Sequence, residues 1–234
     1  MQKDKLISNL NQVKANIRQA AAAADRDYQA VKLLTVSKNQ DIESIKILNE
    51  AGLRFFGENR VQELEEKNDK LISEQINLDW HFIGHLQRNK VKYLMRMENC
   101  KMIESIDSLR LAKEVNKRAK KNEREIPVLI EINIAGDENK FGITPAKAED
   151  FLKKIIELEN LKVEGLMTVL PYLDDSEKLR SYFKDMKNLF DQLSRDVFQL
   201  KELSMGMTND YQIAVEEGAT IVRVGTAIFG EREY

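Results

Sequence analysis

The sequence predicts an α/β fold: a single (β/α)8 TIM barrel preceded by one extra N-terminal helix. Three observations predict it. Short apolar, β-rich runs recur eight times, and each is followed by a stretch with helical spacing. Strands that alternate with helices pair in parallel through right-handed crossovers. No composition break or Pro/Gly-rich linker divides the 234 residues, so one domain over 1–234 is expected. An open doubly wound sheet has the same local pattern, but eight units in one domain close more naturally than they fan out.

The elements follow in order. Leu6, Leu10, Val13, Ile17 and Ala20 have helical spacing, and that extra helix should end near Ala24, before Asp25-Arg26-Asp27. The first strand is 32–38. Asn39-Gln40-Asp41 then offers a cap for a helix carrying Ile42, Ile45 and Leu48, closed by Gly52. The second strand is 54–57, with a helix from about Arg60, and the third is 80–84, with a helix from about Gln87. The fourth, 102–106, leads to a helix capped at Asp107-Ser108 with Leu111, Ala112, Val115 and Ala119 on one side. The fifth, 127–132, is the most β-rich, and Thr144 caps the helix of Phe151, Leu152, Ile155 and Ile156. The sixth, 163–169, precedes a long helix with Tyr182, Phe183, Met186, Leu189, Phe190 and Leu193. The seventh is 203–207 and the eighth 221–225.

Composition narrows the function classes. Apolar residues make up 42%, enough for a real core, and charged residues 32%. A net charge of −2 supplies no field to draw the chain to nucleic acid or anionic lipid. The run Lys117-Arg118-Ala119-Lys120-Lys121 closes a helix, where cations complement the dipole. A lone Cys100 and two histidines, His81 and His85, argue against a disulfide or a metal cluster. Neither a signal-peptide h-region nor a membrane-length apolar run is visible, so a soluble cytoplasmic protein is expected.

In a barrel the chemistry sits at the C-terminal ends of the strands, and phosphate is commonly held by the loops after strands seven and eight. Here those loops are Ser204-Met205-Gly206-Met207-Thr208 and Gly225-Thr226-Ala227. Both offer glycine, which lets backbone N–H groups approach an anion, and a hydroxyl donor. Thr226-Ala227-Ile228-Phe229 can form a short helical turn facing the phosphate. Closure puts strand one beside strand eight, so Lys38 rises next to that cradle. An amine opposite a phosphate site is the layout for holding an aldehyde-bearing phosphate cofactor as a Schiff base. Arg223 alternates with Val222 and Val224 and so points into the barrel mouth, where it needs an acceptor. A pyridine nitrogen would serve, and so would an internal carboxylate such as Glu58 or Glu131. Asn59, after strand two, can reach a ring hydroxyl. Met167, in strand six, can line a ring face or be plain core. His85, after strand three, is an acid/base candidate or a structural histidine.

These residues also carry a resemblance. Val36-Ser37-Lys38, Phe56-Gly57-Glu58-Asn59, the strings His81–Lys90 and Val222–Gly230, Leu203–Met207 and Lys140-Phe141-Gly142-Ile143 resemble the pyridoxal phosphate homeostasis protein family, over nearly the whole chain and in order. That family is related to the barrel domain of alanine racemase (fold type III). The resemblance implies pyridoxal 5′-phosphate as cofactor, with Lys38 as the Schiff-base lysine. It implies Ser204, Gly225 and Thr226 at the phosphate, Met205 and Gly206 beside them, Arg223 facing the pyridine ring and Asn59 near it. It implies a protein that binds the cofactor and keeps its free level in check without robust turnover, with other enzymes that use the cofactor as candidate recipients. A racemase-like enzyme is the alternative, and a phosphosugar enzyme using Lys38 on its substrate a further one. Racemases add a second, β-rich domain that supplies an opposing tyrosine. This chain stops at Tyr234, and two-base racemisation needs groups on both faces of the α-carbon, where only Lys38 is clearly placed. A monomer is expected, because that second domain carries a dimer contact.

Overall fold

In the computed structural model, which describes residues 2–196 and 198–230, eight parallel strands close into a barrel in chain order. They are β1 (Lys32–Val36), β2 (Phe55–Glu58), β3 (Asp79–Phe82), β4 (Cys100–Ile106), β5 (Ile126–Glu131), β6 (Leu161–Met167), β7 (Glu202–Ser204) and β8 (Ile221–Val224). The helices are α1 (Gln2–Ala23), α2 (Ile42–Glu50), α3 (Val61–Ser73), α4 (Val91–Leu94), α5 (Leu109–Lys121), α6 (Ala148–Ile155), α7 (Ser176–Asp196), α8 (Tyr211–Glu216) and α9 (Thr226–Phe229). The register that closes the ring pairs Leu34 with Arg223 and Thr35 with Val224. An open sheet is thereby excluded.

Strand alternation sorts the side chains into two cores. Leu34, Met102, Leu129, Met167 and Ile221 fill the barrel interior. Phe56, Trp80, Phe82, Ile103, Val222 and Val224 point outward into the larger core shared with the helices. Trp80, Phe56, Phe82 and Phe183 are among its largest fully buried side chains. Burying each contributes roughly 1.5–3 kcal/mol. The indole N–H of Trp80 donates to Asn68 Oδ1 at 3.2 Å, so its polar edge is not left without a partner.

The helix starts use the caps that the sequence offers. Asp41 accepts from the Ser44 N–H at 2.7 Å, and Ser108 Oγ from the Leu111 N–H at 3.4 Å. Thr144 instead precedes a 3-10 turn, Pro145–Lys147, and its hydroxyl makes no cap bond there. The strand ends differ from the sequence expectation by up to three residues, and that of β4, at Ile106, agrees with it. β1 ends at Val36 because Asn39, at φ +59°, turns the chain away from the sheet. β7 ends at Ser204 because Gly206, at φ +91°, turns against α8, where a Cβ would lie 2.5 Å from Ala214 Cβ.

The extra helix buttresses the end of the barrel that carries β8. Its Leu6, Leu10, Val13 and Ile17 are buried. Asn9 Nδ2 donates to the Ile228 carbonyl at 3.0 Å, and Asn16 Nδ2 to the Tyr211 hydroxyl at 2.9 Å. Among the described residues no helix is long and apolar enough to cross a membrane.

Candidate functional site

Alternation and closure together decide what reaches the mouth. Leu34, Val36 and Lys38 lie in one phase of β1 and its extension, and Ile221 and Arg223 in the matching phase of β8. A cavity of about 260 Å³ opens there, lined by Lys38, Arg223, Gly225, Thr226, Thr208 and Tyr172, with Val36 and Met207 beside them. A Cβ on Gly225 would stand 3.0 Å from the Val36 carbonyl oxygen, so a side chain there would press on the end of β1 at the cavity wall. Thr208 Oγ1 accepts from the Ala227 N–H at 3.3 Å and ties the β7–α8 loop to the start of α9.

Beneath the cavity runs a buried polar layer. His81 Nδ1 lies 2.7 Å from Glu104 Oε1, and the Ser204 hydroxyl donates to Glu104 Oε2 at 2.6 Å. Arg223 Nη1 donates to Ser204 Oγ at 2.6 Å, and its Nη2 donates to the Thr168 carbonyl at 2.6 Å. Glu104 and Ser204 are fully buried and Arg223 is 4% exposed. Burial alone would push the Glu104 carboxyl up. The bonds and charge of His81, with Arg223 and Ser204, outweigh it and hold that carboxyl below the usual carboxylate range. Burial lowers the Arg223 guanidinium, against the opposing charges of Glu104, Asp210 and Glu131. Of the carboxylates that the sequence offered to Arg223, Glu131 acts on it through its charge, while the guanidinium's hydrogen bonds go to Ser204 and the Thr168 carbonyl. Glu58 is not a partner: it faces α3, where Lys67 Nζ donates to its Oε1 at 2.7 Å.

On the β3–β5 side of the mouth a second group gathers. His85 Nδ1 lies 3.1 Å from Asp107 Oδ2, and the ring stacks on Phe141, centroids 3.7 Å apart and planes within 12°. Burial, and then the charge of Asp107, push the Glu131 carboxyl up to about 7, against Arg223 and Lys140.

The structure therefore brings together four of the residues singled out from the sequence: Lys38, Arg223, Gly225 and Thr226. Five others do not line that cavity. Met167 is 1% exposed inside the barrel, and Met205 is buried in the outer core. Gly206 gives its carbonyl to the Arg223 N–H at 3.0 Å. Asn59 is half-buried, with its carbonyl packed on Gly84 so closely that a Cβ there would meet it at 2.2 Å. Ser204 stands behind Arg223, with its hydroxyl engaged on both sides. Sequence reasoning passed over Glu104 and His81. A visible signal was Glu104 itself, a carboxylate between Ile103 and Ile106 in a strand where Met102 shares its inward phase. A further cleft, of about 560 Å³, lies between α3 and α4 at the other end of the barrel. Its lining mixes Glu65, Asp69, Arg96 and Lys101 with asparagines, and no catalytic grouping emerges from it.

Comparison with known proteins places this geometry. The sequence model of the family described as alanine racemase, N-terminal domain, matches residues 8–233. The pyridoxal phosphate homeostasis protein of Aquifex aeolicus is 46% identical over 226 residues, covering 96% of this chain and 97% of that protein. The pyridoxal phosphate homeostasis protein of Pasteurella multocida is 40% identical over 228 residues, covering 97% of each. The structure of PipY from Synechococcus elongatus, with PLP bound, superposes with a TM-score of 0.79 at 32% identity, over 92% of this chain and 100% of that one.

Proposed function

This chain belongs to the pyridoxal phosphate homeostasis protein family, and we propose that it holds pyridoxal 5′-phosphate in its barrel mouth and buffers the free level of that cofactor. The observation that carries the reading is that one cavity is lined by Lys38, Arg223, Gly225 and Thr226 together. The donor set fits the cofactor: an amine for its aldehyde, hydroxyls on Thr208 and Thr226 for its phosphate, and a guanidinium for its ring nitrogen. The glycine at 225 supports the fit, since it lets the backbone of that turn lie close against Val36 with no side chain to screen it from an anion.

When bound, pyridoxal phosphate supplies an aldehyde open to amine attack and a ring able to withdraw electrons. Lys38 is the capturing amine in this reading. Arg223 orients the ring, pinned from behind by Ser204 and Thr168. A guanidinium donates a hydrogen bond but keeps its proton. It therefore positions the ring without strengthening it as an electron sink, which favours holding over turnover. Ser204, Met205 and Gly206 serve the site indirectly, by fixing β7 against β8, and Met167 packs in the barrel interior. Asn59 reaches the cofactor only from the rim. A two-base racemase needs a second acid/base group facing Lys38, and His85 is engaged with Asp107 and Phe141 instead. The reading also takes the protein as a cytoplasmic monomer that passes the cofactor to enzymes lacking it.

Titration of the purified protein with pyridoxal 5′-phosphate tests the proposal. A new saturable absorbance band, absent in Lys38→Ala, is expected. No band beyond that of the free cofactor sinks the reading.

A further inference from the structure

The two residues flanking Lys38 are both held by α3. Lys67, on α3, is 6% exposed, and its ammonium has three protons to donate. One goes to the Ser37 carbonyl at 2.6 Å, one to Glu58 Oε1 at 2.7 Å and one to Glu63 Oε1 at 2.7 Å. The Ser37 hydroxyl also donates to Glu58 Oε1, at 2.7 Å. On the other side of Lys38, the Asn39 N–H donates to Glu63 Oε1. Asn39 is there in the left-handed region, at φ +59°, a conformation that an L-residue keeps only with local support.

We propose that Lys67, with Glu58 and Glu63, is a positioning device for the Lys38 amine: it clamps the residue on either side and fixes where that side chain leaves the barrel rim. The inference rests on Lys38 being the capturing amine. Stability alone is a poor explanation for the cluster. Glu58 is fully buried, and its Oε2 has no hydrogen-bond partner. Taking such charges out of water costs more than an apolar pair of similar volume would. What an apolar pair cannot supply is a donor to the Ser37 carbonyl and to the Glu63 carboxylate that accepts from the Asn39 N–H. A lysine has four side-chain torsions. With its root fixed, only those must be ordered for attack, and a displacement of about 1 Å at the root would cost up to about a hundredfold in rate.

Glu63→Ala removes the Asn39 acceptor at a partly exposed position, and Glu63→Gln keeps one. The double variant Glu58→Leu/Lys67→Met replaces the buried pair with apolar groups and guards against a misfolded single variant. Three quantities are measured. Amide hydrogen exchange at Asn39 is followed in the cofactor-free protein. Affinity for pyridoxine 5′-phosphate, which lacks the aldehyde, reports the cradle alone. The rate of covalent capture of pyridoxal 5′-phosphate reports the amine. Glu63→Ala should speed Asn39 exchange and slow capture by about tenfold, with pyridoxine 5′-phosphate affinity kept within about twofold. Glu63→Gln should restore the rate, and the double variant, which keeps Glu63 as the Asn39 acceptor, should slow capture as Glu63→Ala does. Capture at the wild-type rate in both Glu63→Ala and the double variant overturns the clamp. A capture rate that falls only in step with pyridoxine 5′-phosphate affinity also overturns it, because that is a general structural loss. A wild-type protein that captures nothing sinks the functional reading itself, and the clamp with it.

Discussion

Ser204 and Arg223 meet across the β7–β8 seam, hydroxyl oxygen to guanidinium nitrogen at 2.6 Å, with Glu104 2.6 Å beyond the hydroxyl. The serine is thus a bridge between two buried opposite charges. It keeps the guanidinium pointed at the mouth and relieves the carboxylate of an unmet lone pair. In a low-dielectric interior such a chain is costly when incomplete and rigid when complete.

Removing the bridge should therefore show in the protein without any ligand. Ser204→Ala leaves Glu104 and Arg223 each short of a partner and should destabilise the fold by about 1–3 kcal/mol. Thermal or urea unfolding of the cofactor-free protein measures this. An unchanged midpoint, together with a large loss of phosphate affinity, would instead make Ser204 a direct phosphate donor.

Glu131 makes stability depend on pH near neutrality. Its unfolded carboxyl titrates near 4.5 and its folded one near 7. Between those values the folded protein holds a proton that the unfolded chain has released, so stability falls as pH rises through that window. Glu131→Gln removes the effect. It should be more stable than the wild type at pH 8, by about 1–3 kcal/mol, with the two converging below pH 4.5. Parallel melting curves across that range would refute the assignment.

Gly225 sets the width of the cavity wall. Gly225→Ala puts a methyl 3.0 Å from the Val36 carbonyl oxygen. The neighbouring strand must give way, at a cost of about 1 kcal/mol. Affinity for pyridoxal 5′-phosphate should fall about tenfold, because moving Val36 away from the Gly225-Thr226 turn shifts Lys38 relative to that turn. Equilibrium titration gives the affinity, and a wild-type value would move the phosphate elsewhere.

Much of this was legible in the chain. The barrel follows from eight β-rich runs and the helical spacing between them, which are local patterns. Lys38, Arg223 and the Gly225-Thr226 turn were found because strand phase and barrel closure fix their direction. The Glu104 layer was not found, because its meaning depends on His81, Ser204 and Arg223 arriving from three other strands. Glu58 was misassigned as a possible partner of Arg223 for a related reason. Its own strand fixes that it points to α3, but only the packing of α3 supplies Lys67. Asn59 and Met167 were legible as strand-end residues, since β2 closes at Glu58 and β6 at Met167, but only the packed barrel shows that Met167 is buried in its interior.

The central claim is that the Lys38 amine captures the cofactor's aldehyde. Borohydride reduction of the protein with one equivalent of pyridoxal 5′-phosphate, followed by peptide mass mapping, tests it most directly. The account predicts one stoichiometric label on the peptide carrying Lys38, and none there in Lys38→Ala. A label spread over surface lysines, or one concentrated on another residue while Lys38 stays unmodified, would contradict it.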